Sequence, residues 1–262
     1  MNIIILSRNK NLYSTSRLCN TAKKWGHDVT VIDYMRCYIT IDSKRKGIFF
    51  NGKLIEKVDA IIPRIGASNT LYGTSIVRQF ELLGTYCLNS ASSITKSRDK
   101  LRSLQILANS GFNVPYTAFA NNSNDFSYFL NQFGQYPVIL KLLQSTQGQG
   151  VLMAESKQSA ESIINCLKLS GVDLLVQRFI SESKGEDIRA FVVGNKVVAS
   201  MKRIATNGSF KSNVHQGGKA VSINLDKDEE RLVLKAVETL GLSLAGVDFM
   251  RSNEGPMILE IN

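Results

Sequence analysis

The stretch "AGVDFMRSNEGPMILEIN", residues 245–262, decides the fold of the C-terminal part of this chain. Asn253 to Gly255 separates two apolar runs and carries the residue types of a turn, so the stretch predicts a β-hairpin. A hairpin centred on residue 254 places Asp248 directly opposite Glu260. Two carboxylates that face each other across a sheet destabilise it unless something neutralises their charge.

A hard cation is the simplest way to neutralise that pair. Asp248, Glu260 and Asn262 offer only oxygen ligands, which suits Mg²⁺ held between carboxylates and substrate phosphates. The alternative is an exposed face with solvated acids. Alternation along the second strand predicts one core-facing set and one set facing the cation: Met257, Leu259 and Ile261 face the core, and Ile258, Glu260 and Asn262 face the other side.

Composition sets limits on the class of protein. The 262 residues are 44% hydrophobic and 21% charged, enough for one large domain or two to three small ones. Four cysteines without a CxxC pair and two histidines disfavour disulfides and zinc sites. The apolar run from Ile3 to Leu6 is too short for a membrane span and lacks the flanks of a signal peptide, so we expect a cytoplasmic protein.

The net charge is +10, from 32 basic and 22 acidic residues. This balance favours anionic partners such as phosphates, nucleic acid or an acidic peptide. A solubilising surface is the alternative interpretation.

The first part of the chain reads as an α/β domain of about ninety residues. "MNIIILS", a helix from Ser14 to Trp25 and "DVTVIDY" form a βαβ unit, and "GIFFNGKLI" is a hairpin on Asn51-Gly52. "DAIIPRI", a helix from about Gly73 to Leu83 and "TYCLN" complete it.

The middle part contains "SRDKLRSLQILANSGFNVP", a helix, and "YPVILKLLQSTQGQGVLMAES", which reads as strand, glycine loop and strand. Lys141 lies inside the first strand. A lysine in an apolar strand is costly unless an anion meets it, so Lys141 and the loop suggest a bound phosphate. The loop matches neither the Walker A pattern nor GxGxxG. A simple hairpin turn with a snorkelling lysine is the alternative.

The third part, from about Leu174, predicts a largely antiparallel sheet. Its strands include "LLVQRFI" and "DIRAFVVGNKVVASMKRIA", with a turn at Gly194-Asn195, and a helix runs from about Asp228 to Leu240.

Several motifs in order along the chain resemble the RimK family of ATP-grasp α-L-glutamate ligases. They are "ILSRN…LYS", "IPRIG", "YGT…RQFE.LG", "SRDKLRS.Q.LA..G", "TQG.GV", "DIR.FVVG..VVA", "AGVD" and "EIN". The resemblance implies an ATP-grasp fold, with an N-terminal pre-ATP-grasp α/β domain at residues 1–93 and two α+β lobes at 94–180 and 181–262. Members continue past "EIN" with a loop and a helix, so this chain is expected to be truncated.

The resemblance also implies roles for individual residues. Lys100 and Lys141 would bind the α and β phosphates of ATP, and Asp187 would hold the ribose. The hinge strand would contact adenine through the backbone of Gln177, Arg178, Phe179 and Ile180. Lys211, Ser212 and Asn213 would complete the nucleotide pocket. Asp248, Glu260 and Asn262 would hold two divalent ions, Mg²⁺ or Mn²⁺.

Three positions depart from the family pattern. Arg178 stands where the hinge usually has an acidic residue, Lys202-Arg203-Ile204 replaces Glu-Arg-Arg, and Lys211 replaces an arginine. The last two change planar, bidentate donors or their partners near the transferred phosphate.

The implied reaction joins L-glutamate to a carboxylate through an acylphosphate, with Arg203 and Arg189 stabilising the charge. The expected acceptor is the acidic C-terminus of the sixth small-subunit ribosomal protein, and the expected enzyme is a cytoplasmic homo-oligomer without membrane or specific nucleic-acid partners. An amino-group carrier protein, a pterin or a deazaflavin is an alternative acceptor. A truncated homologue that binds nucleotide without ligating is the non-enzymatic alternative. For Arg189 and Arg203, a separate alternative is a purely structural role as ion-pair partners.

Overall fold

The computed structural model describes residues 1–143, 150–183, 185–206, 212 and 217–262. The chain divides into two compact units. The first unit comprises Met1–Arg98 and Leu240–Leu244, and the second comprises Asp99–Thr239 and Ala245–Asn262. In the part of the chain that is described, no helix has the length and apolar character needed to cross a membrane. The division into three domains stays a prediction.

The first unit is built on a parallel sheet, as predicted. Its strands are β1 (Asn2–Leu6), β2 (Asp28–Ile32), β3 (Cys37–Thr40), β4 (Gly47–Phe50), β5 (Lys53–Leu54), β6 (Ala60–Pro63) and β7 (Tyr86–Cys87), and its helices are α1 (Tyr13–Lys24), α2 (Thr70–Leu82) and α3 (Ala91–Arg98). The parallel sheet has the strand order β2-β1-β6-β7. The apolar sides of the sheet and of α2 form one core, to which Leu6, Ile61 and Phe80 belong.

The predicted hairpin on Asn51-Gly52 is confirmed, and both turn residues have the positive φ that a type I′ turn needs, 51° and 77°. The structure adds β3, which pairs antiparallel with β4 and makes a small three-stranded sheet. Its inner face, with Cys37 and Ile48, is buried in the core of the first unit.

The second unit contains two sheets. Its strands are β8 (Thr117–Phe119), β9 (Val138–Leu142), β10 (Val151–Ala154), β11 (Leu174–Arg178), β12 (Glu186–Val193), β13 (Lys196–Ile204), β14 (Lys219–Ser222), β15 (Leu244–Ser252) and β16 (Gly255–Ile261), and its helices are α4 (Lys100–Asn109), α5 (Ser123–Phe133), α6 (Lys157–Leu169) and α7 (Lys227–Thr239). One sheet has the order β10-β9-β11-β8 and the other β14-β13-β12-β15-β16. The strand, loop and strand predicted around Lys141 are β9 and β10, which pair antiparallel. The loop residues 144–149 lie outside the described part.

Two hairpins of the five-stranded sheet share one irregularity. The β12–β13 hairpin closes on Gly194-Asn195, and its register shifts by one residue between Phe191 and Val192. The β15–β16 hairpin closes on Asn253 and Glu254, and its register shifts between Asp248 and Phe249. Each shift is a β-bulge, which changes the residue that faces a given partner beyond it.

The bulge corrects the predicted geometry of the C-terminal hairpin. Asp248 does pair with Glu260, but the turn has two residues, and Phe249 pairs with Ile258. The strict alternation along β16 was therefore wrong: Ile258 is fully buried and Leu259 is half-buried. Leu259 is the extra residue, and it shifts the side-chain faces by one position.

Candidate active site

One face of the five-stranded sheet carries a cluster of four charged residues, Asp187 and Arg189 on β12, Arg203 on β13 and Asp248 on β15. We call it the arginine–carboxylate cluster. Arg203 donates from Nε to Oδ1 and from Nη2 to Oδ2 of Asp187, both at 2.6 Å. Its Nη2 also lies 3.2 Å from Oδ1 of Asp248. Because Asp187 and Arg203 are cross-strand partners, the β-bulge in their hairpin brings these two side chains to the same face.

Arg189 supplies a second guanidinium to Asp248. Its Nη2 donates to Oδ2 at 3.1 Å, and its Nε lies 2.9 Å from Oδ1 without the alignment of a hydrogen bond. The alternative of structural ion-pair partners for Arg189 and Arg203 therefore has direct contacts in its favour. The catalytic roles of the two arginines stay predictions.

Burial raises the pKa of Asp248 despite these two neighbours. Burial raises the pKa of its carboxyl group to about 6, the two arginines lower it, and the charges of Asp187 and Glu260 raise it again. The cost of burying the carboxylate among other acids thus outweighs the attraction of the guanidinium groups. A cation beside Asp248 and Glu260 would favour the ionised form of this buried carboxyl group.

The predicted metal ligands fit a hard cation in their chemistry. Within the described ranges, Oδ1 of Asp248 is buried and receives no aligned hydrogen bond, although two guanidinium nitrogens lie near it. The carboxylate of Glu260 forms no ion pair with a described residue. Asn262 is exposed, and its backbone pairs with that of Gly246. The described residues contain no metal-binding group of three or more His, Cys, Asp or Glu. The predicted set has two carboxylates and one amide, so the metal site stays a prediction that rests on oxygen ligands.

Both predicted phosphate-binding lysines lie in the second unit, at the sheet that contains β9. Lys100 begins α4, and its Nζ donates to the carbonyl oxygens of Leu142 and Leu143 at 2.9 and 3.1 Å. Lys141 lies within β9, opposite Leu175 and Val151. The two lysines therefore stand at the end of β9, the strand that precedes the predicted phosphate-binding loop in the sequence.

Charges of the arginine–carboxylate cluster and of Glu260 act on the pKa of Lys141, so this lysine lies near them. Burial lowers the pKa of its ammonium group, the carboxylate of Glu260 raises it, and the charge of Lys100 lowers it again. Asp248 and Asp187 raise it further. The second unit thus brings Lys141 within electrostatic range of Glu260, Asp248 and Asp187, the carboxylates predicted to hold metal and ribose, and brings Lys100 within range of Glu260.

The predicted hinge, residues 177–180, comprises the last two residues of β11 and the two residues after it. Gln177 is buried, and its Nε2 donates to Oγ1 of Thr117 at 2.8 Å, while its Oε1 receives no hydrogen bond from the described residues. Arg178, where the family has an acid, forms ion pairs with Glu254 and Glu182. Its side chain is held by these carboxylates and its backbone NH donates to the carbonyl oxygen of Tyr116 at 2.9 Å, so its contact with adenine stays a prediction.

The structure describes only some of the remaining predicted pocket residues. Phe179 is half-buried, Ile180 is buried, and Ser212 is buried. Lys211 and Asn213 lie outside the described residues. The predicted contact of Asp187 with ribose is untested, and both oxygens of that carboxylate receive hydrogen bonds from Arg203.

Comparison with known proteins identifies the family. The RimK-like ATP-grasp domain matches residues 97–262, and the RimK PreATP-grasp domain matches residues 1–94. The chain belongs to the RimK family. It is 48% identical over 262 residues to a probable alpha-L-glutamate ligase of Shewanella loihica and 49% identical to one of Picosynechococcus sp.. Each alignment covers 100% of this chain and 87% of the relative.

The fold agrees with a solved member of the ATP-grasp ligases. PsnB, complexed with a phosphomimetic variant of its minimal precursor, Mg and ADP, matches with a TM-score of 0.74 and 18% identity, covering 100% of this chain and 88% of PsnB. The predictions of RimK membership, of an ATP-grasp fold with a pre-ATP-grasp domain and of an ATP-dependent ligase are thus confirmed.

Sequence reasoning missed two features that shape this site. The β-bulges were not predicted, although without them Asp187 would face Lys202 and Asp248 would face Leu259. Gly246 belongs to the "AGVD" motif, but its role is not evident from the sequence. A Cβ atom there would lie 3.4 Å from Nε of Arg189, so the glycine leaves space for that guanidinium.

Proposed function

We propose that this ligase adds L-glutamate to the C-terminal carboxylate of an acidic acceptor protein, the sixth small-subunit ribosomal protein. The observation that carries the proposal is the proximity of Lys141 to the carboxylates of Glu260, Asp248 and Asp187, together with the position of Lys100 Nζ at the end of β9, where it donates to Leu142 and Leu143 and lies near Glu260. Such a site can hold a nucleotide triphosphate together with its cation. The names of the relatives support glutamate as the added amino acid, and the net charge of +10 supports an acidic acceptor.

The reaction divides into two steps. The acceptor carboxylate attacks the γ-phosphorus of ATP, the bond to the β-phosphate oxygen breaks, and an acylphosphate and ADP form. The α-amino group of glutamate then attacks the acyl carbon, phosphate leaves, and an amide bond forms with loss of the amino proton. Positioning and charge neutralisation account for most of the catalysis in phosphoryl transfer.

This chain's residues would act by position and charge. Lys100 and Lys141 would fix the phosphates of ATP, and Arg203 and Arg189 would stabilise the negative charge that develops on the transferred group. Asp248, Glu260 and Asn262 would hold two Mg²⁺ or Mn²⁺ ions, which supply charge neutralisation at the phosphate oxygens. PsnB, which has the same fold, was solved with Mg and ADP.

The reaction can be tested directly. We expect ADP release that depends on both L-glutamate and the acceptor protein, with mass increases of the acceptor that correspond to added glutamate residues. ATP hydrolysis that requires glutamate but leaves this acceptor unmodified would point to a carrier protein, a pterin or a deazaflavin. Absence of any ATP turnover in the presence of Mg²⁺ and glutamate would favour a protein that only binds nucleotide.

The Lys141→Ala variant tests the observation that carries the proposal. Removal of a half-buried charge that faces phosphate should weaken ATP binding by about 2 to 4 kcal/mol. Lys157→Ala is the matched control. Lys157 is a surface lysine on helix α6, which neighbours the same sheet, and its Nζ lies 3.6 Å from the carboxylate of Glu161. Calorimetric titration should show normal ATP affinity for that control. Normal affinity in a folded Lys141→Ala protein contradicts the phosphate role.

A further inference from the structure

The parallel sheet of the first unit has a topological switch point. From β1 the chain passes through α1 to β2 on one side, and it then returns to β6 on the other side of β1. In open α/β sheets of this kind, ligands bind in the crevice at the carboxyl ends of the two strands that flank the switch point. Here the two strands that flank the switch point are β1 and β6, which run parallel.

Basic side chains mark the carboxyl ends of these two strands. Arg8 and Lys10 follow β1, Arg64 follows β6, and all three are exposed. We call these three residues the basic edge. Arg8 and Arg64 belong to the segments "ILSRN" and "IPRIG", which the ligase chemistry of the second unit does not use.

The loops that carry the basic edge are held in place. The backbone NH of Arg64 donates to the carbonyl oxygen of Leu6 at 2.8 Å, so β6 continues beside β1. Nη2 of Arg64 donates to Oγ of Ser14 at 3.0 Å, which fixes the guanidinium beside the first turn of α1. The carbonyl oxygen of Lys10 accepts a hydrogen bond from Oγ of Ser16 at 2.9 Å. Two of the three positive charges, those of Lys10 and Arg64, are thus carried by residues with hydrogen-bonded backbone.

Carboxylates do not neutralise this edge. In the described structure, none of the three basic residues forms an ion pair with an acidic side chain. Asp33 follows β2 on the far side of β1, and its Oδ1 accepts a hydrogen bond from the backbone NH of Met35 at 3.0 Å. The first unit as a whole has 15 basic and 6 acidic residues, whereas the second has 17 and 16. The excess charge of the protein is therefore concentrated in the unit that contains the basic edge.

We propose that the basic edge binds the carboxylates of glutamate, either as the free amino acid or as the glutamate-rich end of the acceptor. The proposal rests on the proposed function, because that function supplies glutamate as the ligand. A glutamate with a free α-carboxylate presents two anionic groups, and a planar guanidinium can receive one of them through two parallel hydrogen bonds. Arg64 keeps donors for this purpose, since a guanidinium has five and Ser14 receives one of them.

Direct binding tests this site without requiring catalysis. The probes are L-glutamate and a fluorescein-labelled peptide that ends in two glutamates with a free carboxylate, measured by calorimetry and by fluorescence anisotropy. Against wild type, Arg8→Ala and Arg64→Ala should each weaken binding about tenfold, as expected for loss of one charge-assisted hydrogen bond, and the double variant should weaken it further. Weakening for both probes identifies the incoming amino acid as the ligand, and weakening for the peptide alone identifies the acceptor end.

Matched controls distinguish specific binding at the basic edge from a general effect of positive charge and from loss of the fold. Lys23→Ala with Lys24→Ala removes two exposed charges at the end of α1, at the opposite edge of the sheet, and should leave peptide binding within about twofold of wild type. Ser14→Ala removes the hydrogen bond of Arg64 but keeps its charge, so it should retain most of the binding. Arg8 has no hydrogen bond to a described residue, so Arg8→Ala remains informative if Arg64→Ala fails to fold.

Two results would overturn the proposal. The first is unchanged binding of both probes by the folded Arg8→Ala and Arg64→Ala proteins. The second is equal weakening in the Lys23→Ala, Lys24→Ala protein, which would mean a general effect of positive charge. A wild type that binds the diglutamyl peptide but ligates no glutamate would reject the proposed function and leave this binding site standing.

Discussion

The two units contain similar numbers of basic residues but use them in opposite ways. In the second unit, Arg203 is buried and hydrogen-bonded to Asp187, and Arg189 is hydrogen-bonded to Asp248. In the first unit, Arg8 and Arg64 are exposed and have no carboxylate partner among the described residues. Buried charges are balanced at short range because water cannot reach them, whereas exposed charges act over distance on a soluble partner. The comparison predicts that substitution of a buried arginine in the second unit lowers the stability of the fold, whereas substitution of an exposed arginine in the first unit weakens ligand binding and leaves the stability nearly unchanged.

The largest effect is expected for Arg203→Ala. Its removal leaves Asp187 and Asp248 buried without this guanidinium, so the free energy of unfolding should fall by about 3 to 5 kcal/mol. Arg64→Ala, in the first unit, should change it by less than about 1 kcal/mol, because Arg64 is exposed and donates one side-chain hydrogen bond, to Ser14. Urea unfolding of both variants measures the two values.

The same experiment can break the comparison. A loss below about 1 kcal/mol for Arg203→Ala would mean that the cluster reorganises and that burial does not enforce the pairing. An Arg203→Ala, Asp187→Asn double variant checks the mechanism, since it removes one of the unpaired charges and should recover part of the lost stability.

The C-terminal hairpin shows how far sequence reasoning reaches. The pairing of Asp248 with Glu260 was predicted correctly, but it was derived from a turn centred on residue 254. The structure has a two-residue turn and an extra residue at Leu259, and these two differences cancel. Turn chemistry and apolar alternation identify a hairpin, yet "SNEG" is compatible with more than one loop length. The bulge depends on packing between strands, which no local pattern records.

The contacts within the arginine–carboxylate cluster were harder to predict from the sequence than the hairpin. Asp187, Arg189 and Arg203 were named through resemblance, with no expectation that they contact one another or Asp248. Their pairing depends on a second bulge, at Val198, without which Lys202 would face Asp187. The βαβ unit, by contrast, followed from local signals alone, because a buried strand, an amphipathic helix and a second strand each have their own sequence period.

An intermediate effect is expected for Glu260→Gln. This change keeps the size of the side chain and removes one of the two facing carboxylates, so the protein without metal should be unchanged or slightly more stable. Stabilisation by Mg·ATP should fall sharply, because the amide is a weaker ligand for a hard cation. Thermal melts with and without Mg·ATP measure both effects, with Glu254→Gln as a control on the same hairpin. Full stabilisation of Glu260→Gln by Mg·ATP would show that Glu260 is not a metal ligand.

The smallest effect is expected from ionic strength, and it compares the two units within one unmodified protein. Attraction between exposed charges is screened over about 10 Å at 0.1 M salt and about 8 Å at 0.15 M, whereas charges shielded from water are screened much less. Raising the salt concentration from about 50 to 200 mM should therefore weaken diglutamyl-peptide binding at the basic edge several-fold. ATP binding depends on the half-buried Lys141, so the increase should change it by a smaller factor. Anisotropy titrations with the peptide and calorimetric titrations with Mg·ATP, in the same buffers, give the two slopes.

A flat response for the peptide would remove the long-range role of the first unit and would favour a small-molecule acceptor. A steeper response for ATP than for the peptide would reverse the assignment of buried and exposed charge on which the comparison rests.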